Sequence, residues 1–509
     1  MLRSAHVGRS DNGATRRFER SMSSSQPRQW VKGEALVKIE RENCMKPIIF
    51  VLLFALCRDA AFGHEAVKPN IVYILLDDAG YGDLSCYGQK HFKTPNIDKL
   101  AAEGMKFTQH YSGSTVCAPT RCSLMTGLHT GHTYVRGNRE VQPEGQSPMP
   151  ADIVTIPRLL KSAGYTTGAF GKWGLGAPSS PSDPAEHFDT FFGYNCQRQA
   201  HLYYPDHLWR NKQKIPLDGK TYSEGLILQE ALQFIKDSKG KPFFLFLPVT
   251  IPHAAMQAPE KNMAEWRKKF PAFENKIGKY AGSETKNPIA AFAAMMTLAD
   301  EGVGRVMSLL DEMNLDDNTI VMLSSDNGPH QEGGHDPVFF DSNGPLKGFK
   351  RDLYEGGIRA PLIARWPGKV QAASTSNLVS AHWDMLPTFC DLAGIETPSG
   401  LDGISIVAEL TGQGTQQPHE FLYWEFYEKG GRRAVRFDNW KAVQLNLKSI
   451  EQAEGIELYD LNNDIGEESN IANKHPELVQ QAQQYFAAAH TPSEFWSFGS
   501  QKKKPSNNR

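Results

Sequence analysis

The sequence lacks both the basic balance of a nucleic-acid-binding protein and the long apolar run of a membrane-spanning one. Its 55 Lys and Arg residues face 57 Asp and Glu residues, which gives a formal net charge of −2. Nucleic-acid binders usually carry a strongly basic face, and a spanning helix needs about 20 apolar residues. We therefore predict neither nucleic acid nor a membrane span among its partners. An anionic substrate stays compatible with this balance, because a local cationic pocket can lie in a neutral protein.

Cysteine is also scarce, with 7 residues in 509. There is no CxxC pair and no dense framework of the kind that small disulfide-rich proteins have. Cys44 and Cys57 lie in a leader segment, and we predict no disulfide pairs among the remaining residues, Cys86, Cys117, Cys122, Cys196 and Cys390. An odd number of cysteines in an exported protein indicates one thiol with another fate, and Cys117 is the candidate.

The two ends of the chain have the composition of segments outside the fold. Residues 1–44 are polar and aperiodic, and we interpret them as an upstream extension. Residues 45–63 have a positive start, a short apolar run and then small residues, which is typical of a signal peptide, so we predict a periplasmic or secreted protein. A disordered leader or a short membrane anchor are the alternatives. The polar tail, residues 499–509, is predicted to be disordered.

Between these ends, apolar strands alternate with helical patterns. The runs at 71–76, 243–247 and 319–324 are typical of buried parallel strands, and helical patterns such as 290–314 lie between them. This predicts an α/β fold with a large, mostly parallel sheet flanked by helices, over residues 68–394. After Gly394 short extended stretches dominate, which predicts a smaller C-terminal α+β domain with an antiparallel sheet over residues 395–498.

Polar side chains follow each of the three predicted strands. Asp77 and Asp78 follow the first, His253 the second, and Asp326 and Asn327 the third. Sites in such sheets lie beyond the carboxyl ends of the strands, so we expect these side chains to share one site. The carboxylate and amide oxygens suit Ca²⁺, in preference to Mg²⁺, and not zinc.

The most specific stretch is Cys117-Ala-Pro-Thr-Arg121-Cys-Ser-Leu-Met-Thr-Gly127. Pro119 suits the first turn of a helix, which places Cys117 just before a helix N-terminus, where an anion is favoured. Arg121 is predicted to reach back to the same anion. Taken alone, the stretch is equally compatible with a buried cysteine and a surface arginine.

Together with other motifs, the Cys117 stretch resembles the defining signature of the formylglycine-dependent (type I) sulfatases, an arylsulfatase-like family of the alkaline phosphatase superfamily. The resemblance runs from about Pro69 to Phe498, and its other motifs are Asp77-Asp78-Ala-Gly80, Gly164–Trp173, Ser325–Gly328 and Tyr354–Arg359. It implies an alkaline-phosphatase-like core and hydrolysis of a sulfate ester to an alcohol and inorganic sulfate.

The resemblance also implies roles for individual residues. A separate maturation enzyme would oxidise Cys117 to formylglycine (3-oxoalanine), whose hydrate is the nucleophile. Cys117 would complete the metal site of Asp77, Asp78, Asp326 and Asn327, and Asp326 would also act as base. His253 would donate a proton to the leaving oxygen. The cations around the sulfate would be Arg121, Lys172 and Lys350, with Lys347 as a competitor for the last place.

One departure from the family pattern concerns the release of sulfate. Where the family usually reads Gly-Lys-Trp-His-Leu-Gly, this chain has Gly174 in place of the histidine that assists the second hydroxyl of the hydrate. Another histidine is expected to fill that place. His201 is our candidate, and His132 and His187 are second choices.

The predicted function is therefore hydrolysis of sulfate esters, with a sulfated saccharide as the expected substrate and an aryl sulfate as its surrogate. The alternatives are a phosphate or phosphonate monoester hydrolase of the same superfamily and a non-catalytic sulfoglycan-binding protein. Aromatic residues are candidates for stacking on sugar rings or for core packing. They are Tyr203, Tyr204, Trp209, Trp383 and Trp424.

Overall fold

A computed structural model describes residues 68–447 and 455–498 of the chain. The predicted upstream extension (1–44), signal peptide (45–63) and C-terminal tail (499–509) lie outside the described residues. In the part that is described, no helix combines the length and the apolar character needed to cross a membrane.

Strands and helices alternate through most of the described chain. The strands are β1 (Asn70–Leu76), β2 (Met105–Phe107), β3 (His110–Tyr111), β4 (Thr166–Lys172), β5 (Thr190–Tyr194), β6 (His207–Arg210), β7 (Gln213–Pro216), β8 (Phe243–Pro248), β9 (Ile277–Tyr280), β10 (Ser283–Lys286), β11 (Thr319–Ser325), β12 (Leu362–Arg365), β13 (Ser374–Ser376), β14 (Ser380–Ala381), β15 (Leu422–Phe426), β16 (Arg432–Phe437), β17 (Trp440–Leu445) and β18 (Glu457–Asp460). The helices are α1 (Pro95–Ala102), α2 (Cys117–Thr126), α3 (Ile156–Ser162), α4 (Pro184–His187), α5 (Ser223–Asp237), α6 (Glu260–Lys269), α7 (Pro288–Glu312), α8 (Glu355–Ile358), α9 (Met385–Ala393), α10 (Val407–Thr411) and α11 (Pro476–Ala488).

A 10-stranded sheet with the order β13-β2-β12-β11-β1-β8-β4-β5-β6-β7 forms the centre of the fold. Its inner strands, from β11 across to β5, run parallel to one another, and antiparallel pairs flank them. The register pairs Leu76 with Ser325 and Leu75 with Pro248. The carboxyl ends of β1, β8 and β11 are therefore nearly level, which brings the polar residues that follow them to one edge.

Both faces of the large sheet are covered by helices. Alternate residues of β1 enter two different core clusters: Val72 and Ile74 pack in the one with α5 and α7, and Tyr73 and Leu75 in the one with α2 and α9. A strand buried on both sides has no polar face to expose. This explains the uninterrupted apolar run of β1, from which the fold class was predicted.

The second sheet contains β15, β16, β17 and β18 in sequence order, and every pair is antiparallel. On one face, Phe486 of α11 packs against Tyr423 and Val435. On the other, Trp424 packs against Val116 and Trp383. The predicted α/β fold class, with a large mostly parallel sheet and a smaller antiparallel one, is confirmed. The proposed division at residues 394 and 395 stays a prediction.

Helix α2 differs from its prediction by one residue. It begins at Cys117 itself, with extended Val116 as its N-cap, so Cys117 is the first helical residue and does not precede the helix. Pro119 then occupies the third position, which is compatible because the first turn of a helix leaves its N–H groups unpaired. The N-terminal end of α2 still faces the strand edge.

Candidate active site

Four oxygen-bearing side chains meet at the carboxyl edge of the large sheet. Asp77 and Asp78 follow β1, Asp326 and Asn327 follow β11, and all four are buried. The backbone N–H of Asp78 donates to Asp326 Oδ1 at 3.0 Å, and Asn327 Nδ2 donates to Asp78 Oδ1 at 2.7 Å. Asp78 has a left-handed backbone (φ 67°), a conformation that is uncommon outside glycine. The strand ends thus bring together the predicted oxygen donors.

The donor set fits a hard divalent cation. The side-chain oxygen Oδ1 of Asn327 is buried and has no hydrogen-bond partner among the described residues. Ligand atoms of Asp77, Asp78, Cys117 and His253 also lie within 4.8 Å of one another. An unpaired buried acceptor beside buried carboxylates is compatible with ligation by oxygen, which Ca²⁺ and Mg²⁺ prefer.

Cys117 lies beside this group at the start of α2. Its Sγ is 3.5 Å from Asp77 Oδ1, and the side chain is buried. Burial, together with the nearby carboxylate of Asp77, raises the pKa of the Cys117 thiol far above its ordinary value. Because the thiolate is the reactive form, an unmodified cysteine here is a poor nucleophile at neutral pH.

Two buried cations, Arg121 and Lys172, pair with these carboxylates. Arg121, one turn into α2, donates through one guanidinium nitrogen to Asp77 at 3.2 Å and to Asp326 at 3.0 Å. Lys172, the last residue of β4, donates to Asp77, and its carbonyl accepts from Arg121 at 2.6 Å. Burial alone would raise the pKa of Asp77, but the charges of Lys172 and Arg121 hold it well below its ordinary range. Asp77 is therefore ionised.

A third cation is supplied by Lys350. Its Nζ donates to Asp78 Oδ2 at 2.8 Å, to His253 Nε2 at 3.1 Å and to Glu332 at 3.2 Å. Lys347 instead donates to the Glu467 carbonyl at 2.9 Å and lies over the Tyr354 ring. Of the two lysines weighed from the sequence, Lys350 is the one that reaches the strand-end group.

His253 lies between the acidic group and the adjoining cavity. Its Nε2 is 3.4 Å from Asp78 Oδ2 and accepts from Lys350, and its Nδ1 bonds to the Ala254 carbonyl. This network assigns the proton to Nδ1. Burial and the charge of Lys350 lower the pKa of His253 far below its ordinary value. His253 is thus neutral until further negative charge arrives.

His201 stacks flat on His253, with ring centroids 4.5 Å apart and an angle of 2° between planes. The edge of Tyr280 contacts both rings, at 5.1 Å and 5.7 Å between centroids. Burial and His253 lower the pKa of His201. His132 and His187 lie elsewhere: His132 pairs with Asp402 and His187 with Thr155.

A cavity of about 210 Å³ adjoins the strand-end residues. Cys117, His253, Lys350 and His201 are four of its lining residues, and the others are Asn138, Glu140, Gln146, Gln197, Tyr280 and Arg351. None of these six was proposed from the sequence, because they belong to loops and a short hairpin without a recognisable motif.

Three of the aromatic residues considered for sugar binding are core residues instead. Trp424, on β15 of the second sheet, packs against Trp383, and at most 1% of either side chain is exposed. Tyr203 is equally buried, and its hydroxyl donates to the Thr250 and His253 carbonyls. Tyr204 and Trp209 are partly buried and do not line the cavity.

Comparison with known proteins supplies further evidence. The family profile described as Sulfatase matches residues 69–395, and that described as N-sulphoglucosamine sulphohydrolase, C-terminal, matches residues 347–489. N-acetylgalactosamine-6-sulfatase of Canis lupus familiaris is 33% identical over 74% of this chain and 71% of its own length. Arylsulfatase of Hemicentrotus pulcherrimus is 31% identical over 80% of this chain and 72% of its own. The crystal structure of Ps i-CgsB in complex with k-i-k-neocarrahexaose is 28% identical, with a TM-score of 0.71 over 85% of this chain and 95% of that one.

Proposed function

Because this chain belongs to the sulfatase family and is a sulfuric ester hydrolase, we propose that it cleaves sulfate esters at Cys117, after that residue has been converted to formylglycine. The observation that carries the proposal is the position of Cys117. Cys117 is the first residue of α2 and contacts Asp77. The buried cations Lys172 and Lys350 are close enough to act on it electrostatically.

The modification would solve two problems that the unmodified residue has. The Cys117 thiol is protonated in this setting, and a sulfo group transferred to a single nucleophilic atom would have to be removed by attack of water at sulfur. A formylglycine hydrate supplies two hydroxyls on one carbon, one to attack sulfur and one whose deprotonation expels the sulfate. Conversion by a separate maturation enzyme is part of this proposal.

The residues that would hold a divalent cation are Asp77, Asp78, Asp326 and Asn327, with the group at position 117 as a further ligand. We propose Ca²⁺ in preference to Mg²⁺, because four protein oxygen donors surround the site, whereas Mg²⁺ usually keeps several waters and binds through one or two carboxylates. When bound, the cation would polarise the sulfate group and acidify the attacking hydroxyl.

The substrate sulfate would be held by the three cations around this group. All three cations are paired with carboxylates: Arg121 and Lys172 with Asp77, and Lys350 with Asp78 and Glu332. Lys350 also lines the cavity, so its Nζ is the one placed to meet a sulfate oxygen directly, and Arg121 and Lys172 would act through Asp77. An incoming sulfate adds negative charge beside His253 and raises its pKa. His253 could then pick up a proton and donate it to the leaving oxygen as a general acid. His201, stacked on it, would fix the ring and contact the substrate, and its assistance in the release of sulfate stays a prediction.

A sulfated carbohydrate is the proposed substrate. Support comes from the relatives: one is named for N-acetylgalactosamine 6-sulfate, and a similar structure was solved with a neocarrahexaose. The exposed or half-buried polar residues Asn138, Glu140 and Arg351 at the cavity suit the hydroxyl groups of a sugar. Export to the periplasm or the exterior remains part of this proposal.

The test is a paired comparison of 4-nitrophenyl sulfate and 4-nitrophenyl phosphate, before and after chelation. We expect hydrolysis of the sulfate to exceed that of the phosphate, to stop on calcium removal and to return more fully with Ca²⁺ than with Mg²⁺. A preference for the phosphate would support the phosphate monoester hydrolase instead. Binding of sulfated sugars without turnover by converted protein would support the sulfoglycan-binding alternative.

A further inference from the structure

Residue 174 is a glycine, and the side chain of Gln197 occupies the space where a larger residue would place its side chain. Gly174 has a left-handed backbone with φ 74°. A Cβ at this position would lie 2.9 Å from both Cγ and Nε2 of Gln197, closer than real Cβ contacts allow. The backbone N–H of Gly174 also donates to the Asn195 carbonyl at 3.2 Å, which fixes the two segments together. The present position of the Gln197 side chain therefore requires a residue without a side chain at position 174.

Gln197 lines the cavity and carries an unused hydrogen-bond donor. The side chain is 4% exposed, and its Nε2 has no hydrogen-bond partner among the described residues. A buried donor without a partner is rare and costs free energy, so a ligand oxygen is the expected partner. Gln197 lines the same cavity as Cys117, His253 and Lys350.

The character of this cavity indicates which ligand group the donor meets. At about 210 Å³ the cavity is small, so a sulfate group held between Cys117 and Lys350 is close to the remaining walls. In a cavity that Lys350 also lines, an N–H donor favours an anionic oxygen over a neutral hydroxyl, because hydrogen bonds to charged acceptors are the stronger ones.

We propose that Gln197 binds the sulfate group, with Nε2 donating to a non-bridging sulfate oxygen from the space that a side chain at position 174 would occupy. A neutral amide takes up no proton at working pH, so Gln197 is a binding residue and not the base that helps to expel sulfate. The proposal rests on the proposed function, since it requires sulfate in this cavity.

The test measures binding without turnover. In a Cys117→Ala background and calcium-containing buffer, the dissociation constant for inorganic sulfate is measured by isothermal titration. Gln197→Met keeps the volume of the side chain and removes the donor, and it is expected to weaken binding roughly tenfold or more. Gln213→Ala, an exposed glutamine on β7, serves as the control and leaves the constant unchanged.

A second variant distinguishes direct contact from altered packing. Gln197→Glu places a titratable carboxyl at the same point, so sulfate affinity should be lowest when it is ionised and recover as pH falls and it is protonated. Unchanged sulfate affinity in Gln197→Met, or weakened binding in Gln197→Glu without any pH dependence, overturns the proposal. So does a loss confined to N-acetylgalactosamine 6-sulfate, which places the contact on the sugar.

Failure of the proposed function gives a different result. If the wild-type protein with converted Cys117 does not hydrolyse 4-nitrophenyl sulfate, the proposed function fails. If it does hydrolyse this ester while Gln197→Met binds sulfate normally, only the Gln197 proposal fails.

Discussion

Two of the buried charge clusters among the described residues differ in what they leave unpaired. The first, the strand-end cluster, contains Asp77, Asp78, Asp326, Arg121, Lys172 and Lys350. The second, the sheet-junction cluster, connects the four-stranded sheet to α8 and to β3 and contains Glu355, Arg359, Arg436, Lys441 and Glu467 with the hydroxyl of Tyr111. Both are almost inaccessible to solvent.

In the sheet-junction cluster the carboxylates are fully paired, and Arg436 Nε is its one side-chain atom without a hydrogen-bond partner among the described residues. Both carboxylate oxygens of Glu355 are occupied, one by Lys441 at 2.8 Å and the other by Arg359 and Tyr111 at 2.7 Å each. The side chain of Glu467 accepts from the Glu355 backbone N–H at 2.7 Å. Its residues come from β3, α8, β16, β17 and neighbouring loops, so the cluster connects segments that are distant in sequence.

The strand-end cluster is open on one side. Lys350 and His253 line a cavity, Cys117 lies at its base, and Asn327 Oδ1 has no partner in the described part of the chain. Buried charge by itself therefore does not identify a reactive site, because structural ion networks have it too. Unpaired polar atoms beside a cavity and a nucleophile precursor are the features that separate the two clusters.

The largest expected effect is at Cys117. Cys117→Ala should lower kcat/KM for 4-nitrophenyl sulfate on the order of 10⁴-fold or more, because the nucleophile is removed. The melting temperature should change little. Release of 4-nitrophenol measures the loss of activity, and thermal unfolding of the same sample measures the melting temperature. Activity within tenfold of wild type would place the nucleophile elsewhere.

His253→Ala should lower kcat/KM by roughly 10²–10⁴-fold for an alkyl sulfate, because its leaving oxygen needs a proton. The loss should be smaller for 4-nitrophenyl sulfate, whose leaving group is stable as an anion. Kinetics with both esters test this. His132→Ala, which alters a histidine outside the cavity, is the control, and equal losses for the two esters would argue against proton donation.

In the sheet-junction cluster the expected effect is on stability and not on catalysis. Lys441→Met leaves Glu355 with one cation fewer and should cost about 3–5 kcal/mol of unfolding free energy. Denaturant unfolding measures this, and kcat per folded molecule should stay at the wild-type value. Lys279→Met removes a solvent-exposed pair with Glu284 and should cost at most about 1 kcal/mol. A similar cost for the two variants would contradict the contrast between them.

The smallest effect concerns pH. Burial, opposed by Lys441 and assisted by Glu355, raises the pKa of Glu467 from 4.5 to about 7. The folded protein therefore takes up a proton that the unfolded chain has lost in this window. The contribution of Glu467 to stability is complete below about pH 4.5 and is lost as pH rises towards 7. Glu467→Gln should flatten the dependence of unfolding free energy on pH there, and an unchanged slope would remove Glu467 as its source.

Much of the fold follows from simple sequence patterns. The apolar runs ending at Leu76, Leu247 and Ser324 predicted three parallel strands, and the strands lie side by side at the centre of the sheet. Because parallel strands end at one edge, the meeting of Asp77 with Asp326 could be foreseen from the sequence.

The rest of the cavity could not be foreseen in this way. Gln197, Tyr280 and Arg351 reach it from loops and a hairpin, where no periodicity relates one residue to the next. Burial of Trp424 also depends on how the second sheet packs, which its own sequence does not specify. The unpaired Nε2 of Gln197 becomes visible only when its neighbours are known.

The central claim is that catalysis depends on converting Cys117, and one titration tests it directly. The protein is produced with graded amounts of a formylglycine-generating enzyme, and the converted fraction of the Cys117 peptide is measured by mass spectrometry. Hydrolysis of 4-nitrophenyl sulfate is measured on the same samples. We predict a rate proportional to the converted fraction, with a line through the origin. A rate that does not depend on conversion would contradict the claim.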